Sequence, residues 1–308
     1  MSSPELHRLP GTKPILLGNA TCVYCGEVFA GPGAWTKEHV IGRRFVPRDT
    51  LNGQWNLIAR ACGACNGAKA ELENDLSALT MQPDAVGRYA CDDPRLLSEA
   101  RRRAEGAYSR RTRRKVKDSA ERVTLAVPFL VPGATATFTF VSAPQTDRDR
   151  VFRLAWAHVQ GFFYLITYEV GPLRGARRGG FLPGEFRPLA DARRADWGTA
   201  LLDGFAEATA AWHPRLHAIG ADGFFKVSIR RHPEGAEVWS WALEWNMGHR
   251  VVGFFGDPDA VRGAEQGLPP LQLAPFGEAA DGCWSFHTEQ PLRDEEDRLF
   301  AAPPGCAS

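Results

Sequence analysis

The sequence predicts an α+β protein with a cysteine-bearing N-terminal part, a basic helical segment and a C-terminal part built around an antiparallel sheet. Three observations predict this order. Two Cys-x-x-Cys pairs lie within the first 81 residues, nine Lys or Arg side chains lie between positions 101 and 117, and runs rich in Val, Thr, Phe and Trp alternate with helical patterns further on. These changes of composition divide the chain into segments 1–82, 83–120 and 121–308.

Charge is unevenly distributed along the chain. The 308 residues have a formal net charge of +1, but residues 1–117 hold 19 basic and 12 acidic side chains, whereas the remaining residues hold 18 and 24. A net charge near zero therefore does not exclude a nucleic acid as the partner of the basic part. The ordinary content of hydrophobic residues (44%) and charged residues (24%) excludes a disordered chain.

No stretch of the sequence has the roughly 20 apolar residues that a membrane-spanning helix needs. The most apolar run covers only residues 162–166, and the first 20 residues contain three prolines without the apolar core of a signal peptide. We therefore expect a cytoplasmic protein without a membrane partner.

The paired cysteines predict a structural zinc site. Cys22 and Cys25 form one pair, and Cys62 and Cys65 form the other. Two such turns aim four thiolates at one point, which is the tetrahedral ligand set of structural zinc and leaves no open position for catalysis. The alternatives are chance pairing or a redox motif in one pair. Because 36 residues separate the pairs, against ~15–20 in a simple zinc ribbon, a substantial element must be inserted between them.

The inserted segment contains an acid followed by a histidine. Residues 38–41 predict a short strand, in which neighbouring side chains point to opposite faces, so Glu38 and His39 can approach one group only if the strand turns there. Apolar residues at helical spacing predict a helix over 66–79, with Asn66 as its N-terminal cap. Its charged side chains are expected in solvent, namely Lys69, Glu71 and Asp75.

The rest of the chain predicts alternating helices and strands. The basic run 101–117 has one Gly and no Pro, which favours a helix. Three tryptophans with odd numbers, Trp239, Trp241 and Trp245, fall on one face of a strand and are expected in the core. The expected strands cover 122–130, 135–141, 224–231, 237–245 and 250–255, the last three as an antiparallel meander, and the expected helices cover 147–168 and 196–212.

With these motifs the N-terminal part resembles the HNH endonucleases, the ββα-metal nucleases, in their bacterial form with a zinc site of four cysteines. The resemblance covers about residues 21–81, a quarter of the chain, and is strongest to members with a Thr-Lys-Glu-His-Val-Ile motif. The matching pattern is Cys22-x-x-Cys25, Glu38-His39-Val40-Ile41, Asn56-Leu57-Ile58 and Cys62-x-x-Cys65-Asn66-x-x-Lys69.

The resemblance implies a metal-dependent endonuclease that hydrolyses phosphodiester bonds in DNA. His39 would be the general base that activates water, and a neutral imidazole with a pKa near 6.5 suits that role. Glu38 and Asn66 would hold one divalent ion, Mg²⁺ or Mn²⁺, which prefers oxygen ligands. Asn56 would fix the loop between the two strands through side-chain to backbone hydrogen bonds. Many members have Asp before the histidine, so Glu38 departs from the pattern by one methylene.

Basic side chains near this motif are the expected contacts to a phosphate backbone. Arg43, Arg44 and Arg48 follow the predicted strand, and Lys69 lies on the predicted helix. The basic run adds four further arginines, Arg110, Arg111, Arg113 and Arg114. The alternative for the basic run is a solvated face that pairs with the acidic C-terminal part.

Two other functions are compatible with the sequence. The N-terminal part could be a degenerate, non-catalytic zinc module that docks nucleic acid or a protein. The C-terminal part could sense a ligand or partner and control a nuclease. Plasmid cleavage by the protein and by a His39→Ala variant separates the first alternative from catalysis.

Overall fold

A three-stranded sheet and the helix after it form the N-terminal part of the protein. The computed structural model describes residues 6–7, 9, 11–128, 135–175, 182–234, 237–270, 274–279, 282–286 and 289–301. The elements of this part are β1 (Ile15–Leu16), β2 (Thr36–His39), β3 (Leu57–Ala61) and α1 (Gly63–Thr80). Strand β3 lies in the middle, parallel to β1 and antiparallel to β2, with His39 opposite Ile58.

Helix α1 begins earlier than the sequence predicts. Its N-cap is Cys62, whose backbone is extended, and the backbone N–H of Asn66 already donates to the carbonyl of Cys62 over 3.1 Å. Asn66 therefore lies inside the first turn, and its prediction as the cap is wrong. The second cysteine pair ends the strand and starts the helix, so the thiol at 65 is held by helical backbone.

The basic segment forms a helix only in its first part. Helix α2 (Pro94–Gly106) is capped by Asp93, whose side chain accepts from the backbone N–H of Arg95 over 2.8 Å. After Gly106 the chain turns back on itself, so that Tyr108 pairs with Lys115 through an isolated antiparallel β-bridge. Arg113, which lies in this turn, has a positive φ of 57°. The predicted helix over 101–117 is therefore wrong beyond Gly106, the residue that loses most backbone entropy in a helix.

The C-terminal part is built around a five-stranded antiparallel sheet in the order β6-β10-β9-β8-β7. The predicted meander is confirmed as its three central strands, and the two edge strands come from segments that lacked a strand prediction. The elements are β4 (Arg122–Pro128), β5 (Thr135–Val141), α3 (Arg148–Ile166), β6 (Glu185–Arg193), α4 (Ala200–Thr209), β7 (His213–Gly220), β8 (Phe225–Arg231), β9 (Val238–Trp245), β10 (His249–Gly256), α5 (Pro258–Gln266), β11 (Ala274–Ala279) and β12 (Gly282–Phe286).

Local sequence signals explain several boundaries in this part. Asp147 caps α3 by accepting from the backbone N–H of Arg150, and Asn246 and Met247 adopt positive φ values in the turn between β9 and β10. The predicted strand over 122–130 runs into positions outside the described residues. Strands β4 and β5 pair only with each other among the described residues.

Helices cover both faces of the five-stranded sheet. Helix α3 packs on one face, where Trp239, Trp241 and Trp245 point into a buried cluster that also contains residues of the N-terminal part. The prediction that these tryptophans form core is confirmed. Helices α4 and α5 and the C-terminal residues 299–300 cover the other face. No helix in the described part of the chain is long and apolar enough to cross a membrane.

Hydrogen bonds connect the N-terminal part to the five-stranded sheet. The indole N–H of Trp55 donates to the carbonyl of Ile219 over 2.8 Å, and the side-chain amide of Asn246 donates to the hydroxyl of Thr80 over 2.9 Å. Gly161 of α3 lies so close to Val40 that a Cβ there would meet that side chain at 2.9 Å. One buried cluster contains residues from both sides of positions 82 and 120. The segment boundaries placed there from the sequence remain predictions.

Candidate functional site

The four cysteines converge at one point. The Sγ atoms of Cys22, Cys25, Cys62 and Cys65 all lie within 4.8 Å of one another, and those of Cys25 and Cys62 are 3.8 Å apart. A tetrahedral zinc with Zn–S bonds of 2.3 Å separates its sulfurs by about 3.8 Å. The residues therefore fit a metal such as zinc. Within the described residues it is the one group of three or more Cys, His, Asp or Glu side chains close enough to hold an ion.

The backbone around these thiols favours the thiolate at Cys62. Burial acts to raise the pKa of the Cys62 thiol, but hydrogen bonds from the Cys65 backbone N–H and from the neighbouring thiols lower it overall. The backbone N–H of Cys62 in turn points at the sulfur of Cys22 over 3.3 Å. Two of the four sulfurs, those of Cys22 and Cys62, thus accept hydrogen bonds from backbone N–H groups.

Asn56 joins the two ends of the segment between β2 and β3. Its side-chain amide donates to the carbonyl of Ile41 over 2.8 Å, and its Oδ1 accepts from the backbone N–H of the same residue over 3.2 Å. Asn56 is 5% exposed. These are the side-chain to backbone contacts expected at this position, and they fix the chain immediately after His39.

A buried network of charges joins β2 to α1. The ammonium nitrogen of Lys69 lies 2.9 Å from Oε1 of Glu38 and 2.6 Å from Oε1 of Glu73, and it also donates to the carbonyl of His39 over 3.2 Å. The hydroxyl of Tyr24 donates to the same oxygen of Glu38 over 2.8 Å. Glu38 and Lys69 are each 3% exposed.

The pKa values in this network follow from burial and from the ion pairs. Burial opposes the charges of Lys69 and Glu73, but their mutual attraction prevails: the pKa of Lys69 is raised, and that of Glu73 is lowered to about 2. Burial raises the pKa of the Glu38 carboxyl, although Lys69 and Tyr24 act against it. The positive charge of Lys69 is thus held between two carboxyl groups.

Two predictions for α1 are wrong. Lys69 and Asp75 are buried instead of solvated, because Glu38 of β2 and Arg150 of α3 supply opposite charges from other elements. Glu71 is exposed as predicted. The guanidinium of Arg150 on α3 contacts Asp75 over 2.7 Å. With its ammonium enclosed in this way, Lys69 does not present a charge to nucleic acid, which corrects its prediction as a phosphate contact.

The proposed divalent-ion site does not fit the residues as they are placed. Glu38 Oε1 already accepts from Lys69 and Tyr24, and the side-chain amide of Asn66 donates to the hydroxyl of Thr36 over 2.8 Å. A cation at Glu38 would have to share its ligand with a buried ammonium. The structure therefore gives no support to Mg²⁺ or Mn²⁺ held by Glu38 and Asn66.

His39 ends β2 with a half-buried imidazole. Burial, followed by the positive charges of Arg43, Lys37 and Lys69, lowers its pKa below 6.5. The imidazole is therefore neutral at pH 7. Its Nε2 is buried and has no hydrogen-bond partner among the described residues. Neutrality at pH 7 is a property that a general base requires.

His158 on α3 is a neighbour of this network that the sequence reasoning missed. Its Nε2 lies 3.6 Å from Oε1 of Glu73, and its ring packs edge-on against Phe45 and Trp245. Burial lowers its pKa to about 4, so it is neutral at pH 7. Its position in the sequence could have identified it, because His158 falls on the apolar face of the predicted helix over 147–168, where an imidazole is buried.

A groove of about 920 Å³ lies between the loop after β2 and the end of α2. We call it the arginine groove after six of its lining residues: Arg43, Arg44, Arg48, Arg102, Arg103 and Arg110. Arg43, Arg44 and Arg48 are exposed and have no acidic partner in the described part of the chain. Tyr108 lines the same groove and is 56% exposed.

The other arginines of the groove and of the basic run are mostly engaged. Arg102 and Arg103 bind Glu99, and Arg103 also donates to the backbone carbonyl of Arg44. Of the four arginines predicted in the basic run, only Arg110 lines the groove. Arg111 pairs with Glu121 over 2.5 Å, while Arg113 and Arg114 are exposed elsewhere. Pairing with the acidic C-terminal part thus applies to one of these four side chains among the described residues.

Comparison of the chain with protein-family models, with curated proteins and with solved structures finds no match. The description of the site therefore rests on four features of its own residues: a four-cysteine cluster, a neutral histidine, a buried ion network and a groove with unpaired arginines.

Proposed function

We propose that this protein hydrolyses phosphodiester bonds in nucleic acid, with His39 as the general base. One observation carries the proposal: the neutral imidazole of His39 lies four residues before an exposed group of arginines without acidic partners, Arg43, Arg44 and Arg48. The strand pair β2–β3 followed by α1, with the cysteine cluster at its ends, supports the resemblance to HNH endonucleases. DNA is the proposed substrate.

The residues of the site account for the chemistry in simple steps. His39 takes a proton from water, the water oxygen forms a bond to phosphorus, and the bond from phosphorus to the leaving sugar oxygen breaks. That oxygen then takes a proton from solvent. Arg43 and Arg44 offset the negative charge of the phosphate, which otherwise repels the attacking oxygen. The metal held by the cysteines would stabilise the fold and take no part in the reaction.

The test is cleavage of supercoiled plasmid by zinc-loaded protein, with and without added Mg²⁺ or Mn²⁺. We expect nicking by the parent protein and a loss of about 10²–10⁴-fold in His39→Ala, the range that general-base catalysis contributes. His213→Ala, an exposed histidine on β7, is the matched control and should retain full activity. Equal nicking by the parent and His39→Ala would refute the role of His39. Parallel reactions with single-stranded DNA and RNA identify the substrate.

A second function is favoured by the ion pair between Glu38 and Lys69. Because this pair neutralises the carboxylate that the resemblance assigns to a catalytic ion, the domain could bind nucleic acid without cutting it. Retained binding of an oligonucleotide together with no nicking under any of these conditions would select this function over hydrolysis.

A further inference from the structure

The ammonium of Lys69 is enclosed by three oxygens. Glu73 Oε1 lies 2.6 Å from Nζ, Glu38 Oε1 lies 2.9 Å away and the carbonyl oxygen of His39 lies 3.2 Å away. An ammonium carries three N–H donors and no acceptor, so this arrangement gives each donor one acceptor. Three oxygens, two of them from carboxylates, are also what a metal cation would seek.

This ammonium connects the elements that a bound metal ion would otherwise connect. Glu38 and the carbonyl of His39 belong to β2, whereas Glu73 and Lys69 itself belong to α1. The resemblance assigns the same connection to a divalent ion between Glu38 and Asn66. In the structure Asn66 instead bonds Thr36, and the link between strand and helix runs through Lys69.

The surroundings are packed for this occupant. Glu73 Oε1 also accepts from the backbone N–H of Gly42 over 3.2 Å, and a Cβ at Gly42 would meet the carboxylate of Glu73. Tyr24 donates to the oxygen of Glu38 that faces Lys69. A divalent ion would have to displace the ammonium or lie beside it, and two cations a few ångströms apart in a buried site repel strongly.

We propose that Lys69 is the resident cation of the Glu38 carboxylate, and that the site therefore binds no divalent metal ion at Glu38. The proposal deepens the proposed function by assigning this position a tethered ammonium instead of an exchangeable metal. It concerns ion occupancy, which is measured without any cleavage. Its failure is thus distinct from a failure of hydrolysis.

Binding of Mn²⁺ to the zinc-loaded, full-length protein tests the proposal, with the electron paramagnetic resonance signal of free Mn²⁺ as the readout. The parent protein and Glu38→Gln should bind Mn²⁺ equally weakly. Lys69→Met leaves two carboxylates without their cation and should bind Mn²⁺ at least about tenfold more tightly than the parent. This gain should disappear in the Lys69→Met/Glu38→Gln double variant.

One stoichiometric Mn²⁺ in the parent protein that is lost in Glu38→Gln would overturn the proposal, whether it appears alone or after addition of an oligonucleotide. An unchanged affinity in a folded Lys69→Met variant, judged by its zinc content and far-ultraviolet circular dichroism, would also overturn it. If Lys69→Met fails to fold, the comparison of the parent with Glu38→Gln decides the question by itself.

Discussion

The N-terminal part and the five-stranded sheet both bury charged side chains, but with different surroundings. In the sheet, Glu244 contacts Lys226 and Arg250, each over 2.8 Å, and the guanidinium of Arg250 lies 3.5 Å from the ring centroid of Trp197. In the N-terminal part, Lys69 forms ion pairs with Glu38 and Glu73. The neutral His39 and the loop with the exposed Arg43, Arg44 and Arg48 follow Glu38 in the chain.

The comparison shows that buried ion pairs alone do not mark a functional site. The cluster in the sheet is sealed by aromatic rings and by the ion pair of Arg250 with Asp297 near the C-terminus. The N-terminal network adjoins exposed arginines that lack acidic partners, and unpaired charge on a surface is what an anionic ligand requires. This difference is why the proposed function is placed in the N-terminal part and not at the cluster in the sheet.

The largest effect that would sharpen this contrast is loss of the metal. Cys62→Ser should lose the bound zinc and destabilise the N-terminal part by roughly 10 kcal/mol, because metal binding supplies folding free energy in small zinc domains. Metal analysis should find about one zinc per chain in the parent protein. Cys91→Ser, a partly buried cysteine outside the cluster, is the control and should keep its zinc. An unaltered metal content in Cys62→Ser would contradict the cluster as the metal site.

A cavity in the core on the α3 face of the sheet tests how far this core and the metal site depend on each other. Trp241→Ala should reduce the free energy of unfolding by about 3–5 kcal/mol, since the indole is 1% exposed and stacks on Phe186. Trp35→Ala, a partly exposed indole over Arg60, should cost about 1 kcal/mol or less. Chemical denaturation measures both values. Zinc content should stay unchanged in each variant, and its loss in Trp241→Ala would show that the sheet and the metal site are not separate sources of stability.

Salt dependence of oligonucleotide binding compares the two groups of arginines. Replacing Arg43, Arg44 and Arg48 together by Gln should make the negative slope of log affinity against log salt shallower by up to about 2.7 for duplex DNA, because each phosphate contact contributes about 0.9. The matched variant replaces Arg111, Arg113 and Arg114 by Gln, and its slope should change by less than about one contact, 0.9. The opposite order would move the binding surface away from the arginine groove.

The smallest effect concerns the acidity of His39. Hydrolysis should be fully active at pH 7 and fall only below pH 6.5, because burial and Arg43 lower the pKa of this imidazole. Arg43→Met removes one cause of the lowering, so the acidic limb of the kcat/KM profile should move to higher pH. Arg48→Met is the control, since Arg48 is not among the groups that act most strongly on the pKa of His39. An identical acidic limb in the parent and Arg43→Met would separate His39 from the observed titration.

Short-range patterns allowed much of the fold to be predicted. Asp147 marked the start of α3, and alternating tryptophans marked the buried face of β9, because capping and strand alternation depend on neighbours in the chain. The end of α2 at Gly106 was missed because nine basic residues without Pro also suit a helix. The edge strand β6 was missed because its pairing partner, β10, is distant in the sequence. Strand β7 pairs with its neighbour β8 and was missed because it contains Pro214, a residue that lacks the N–H of a strand ladder.

The sequence by itself determined the residues on which the proposed function rests: four cysteines at a spacing that closes a metal site, an acid and a histidine between them, and an excess of basic side chains in the first 117 residues. Tertiary structure alone decided how these groups are used. Lys69 and Asp75 look solvated on an isolated helix, yet packing of β2 and α3 against α1 removes water and supplies Glu38 and Arg150 as partners. Burial and ion pairing depend on residues far apart in the chain, and so the occupant of the Glu38 site could be identified only in the folded protein.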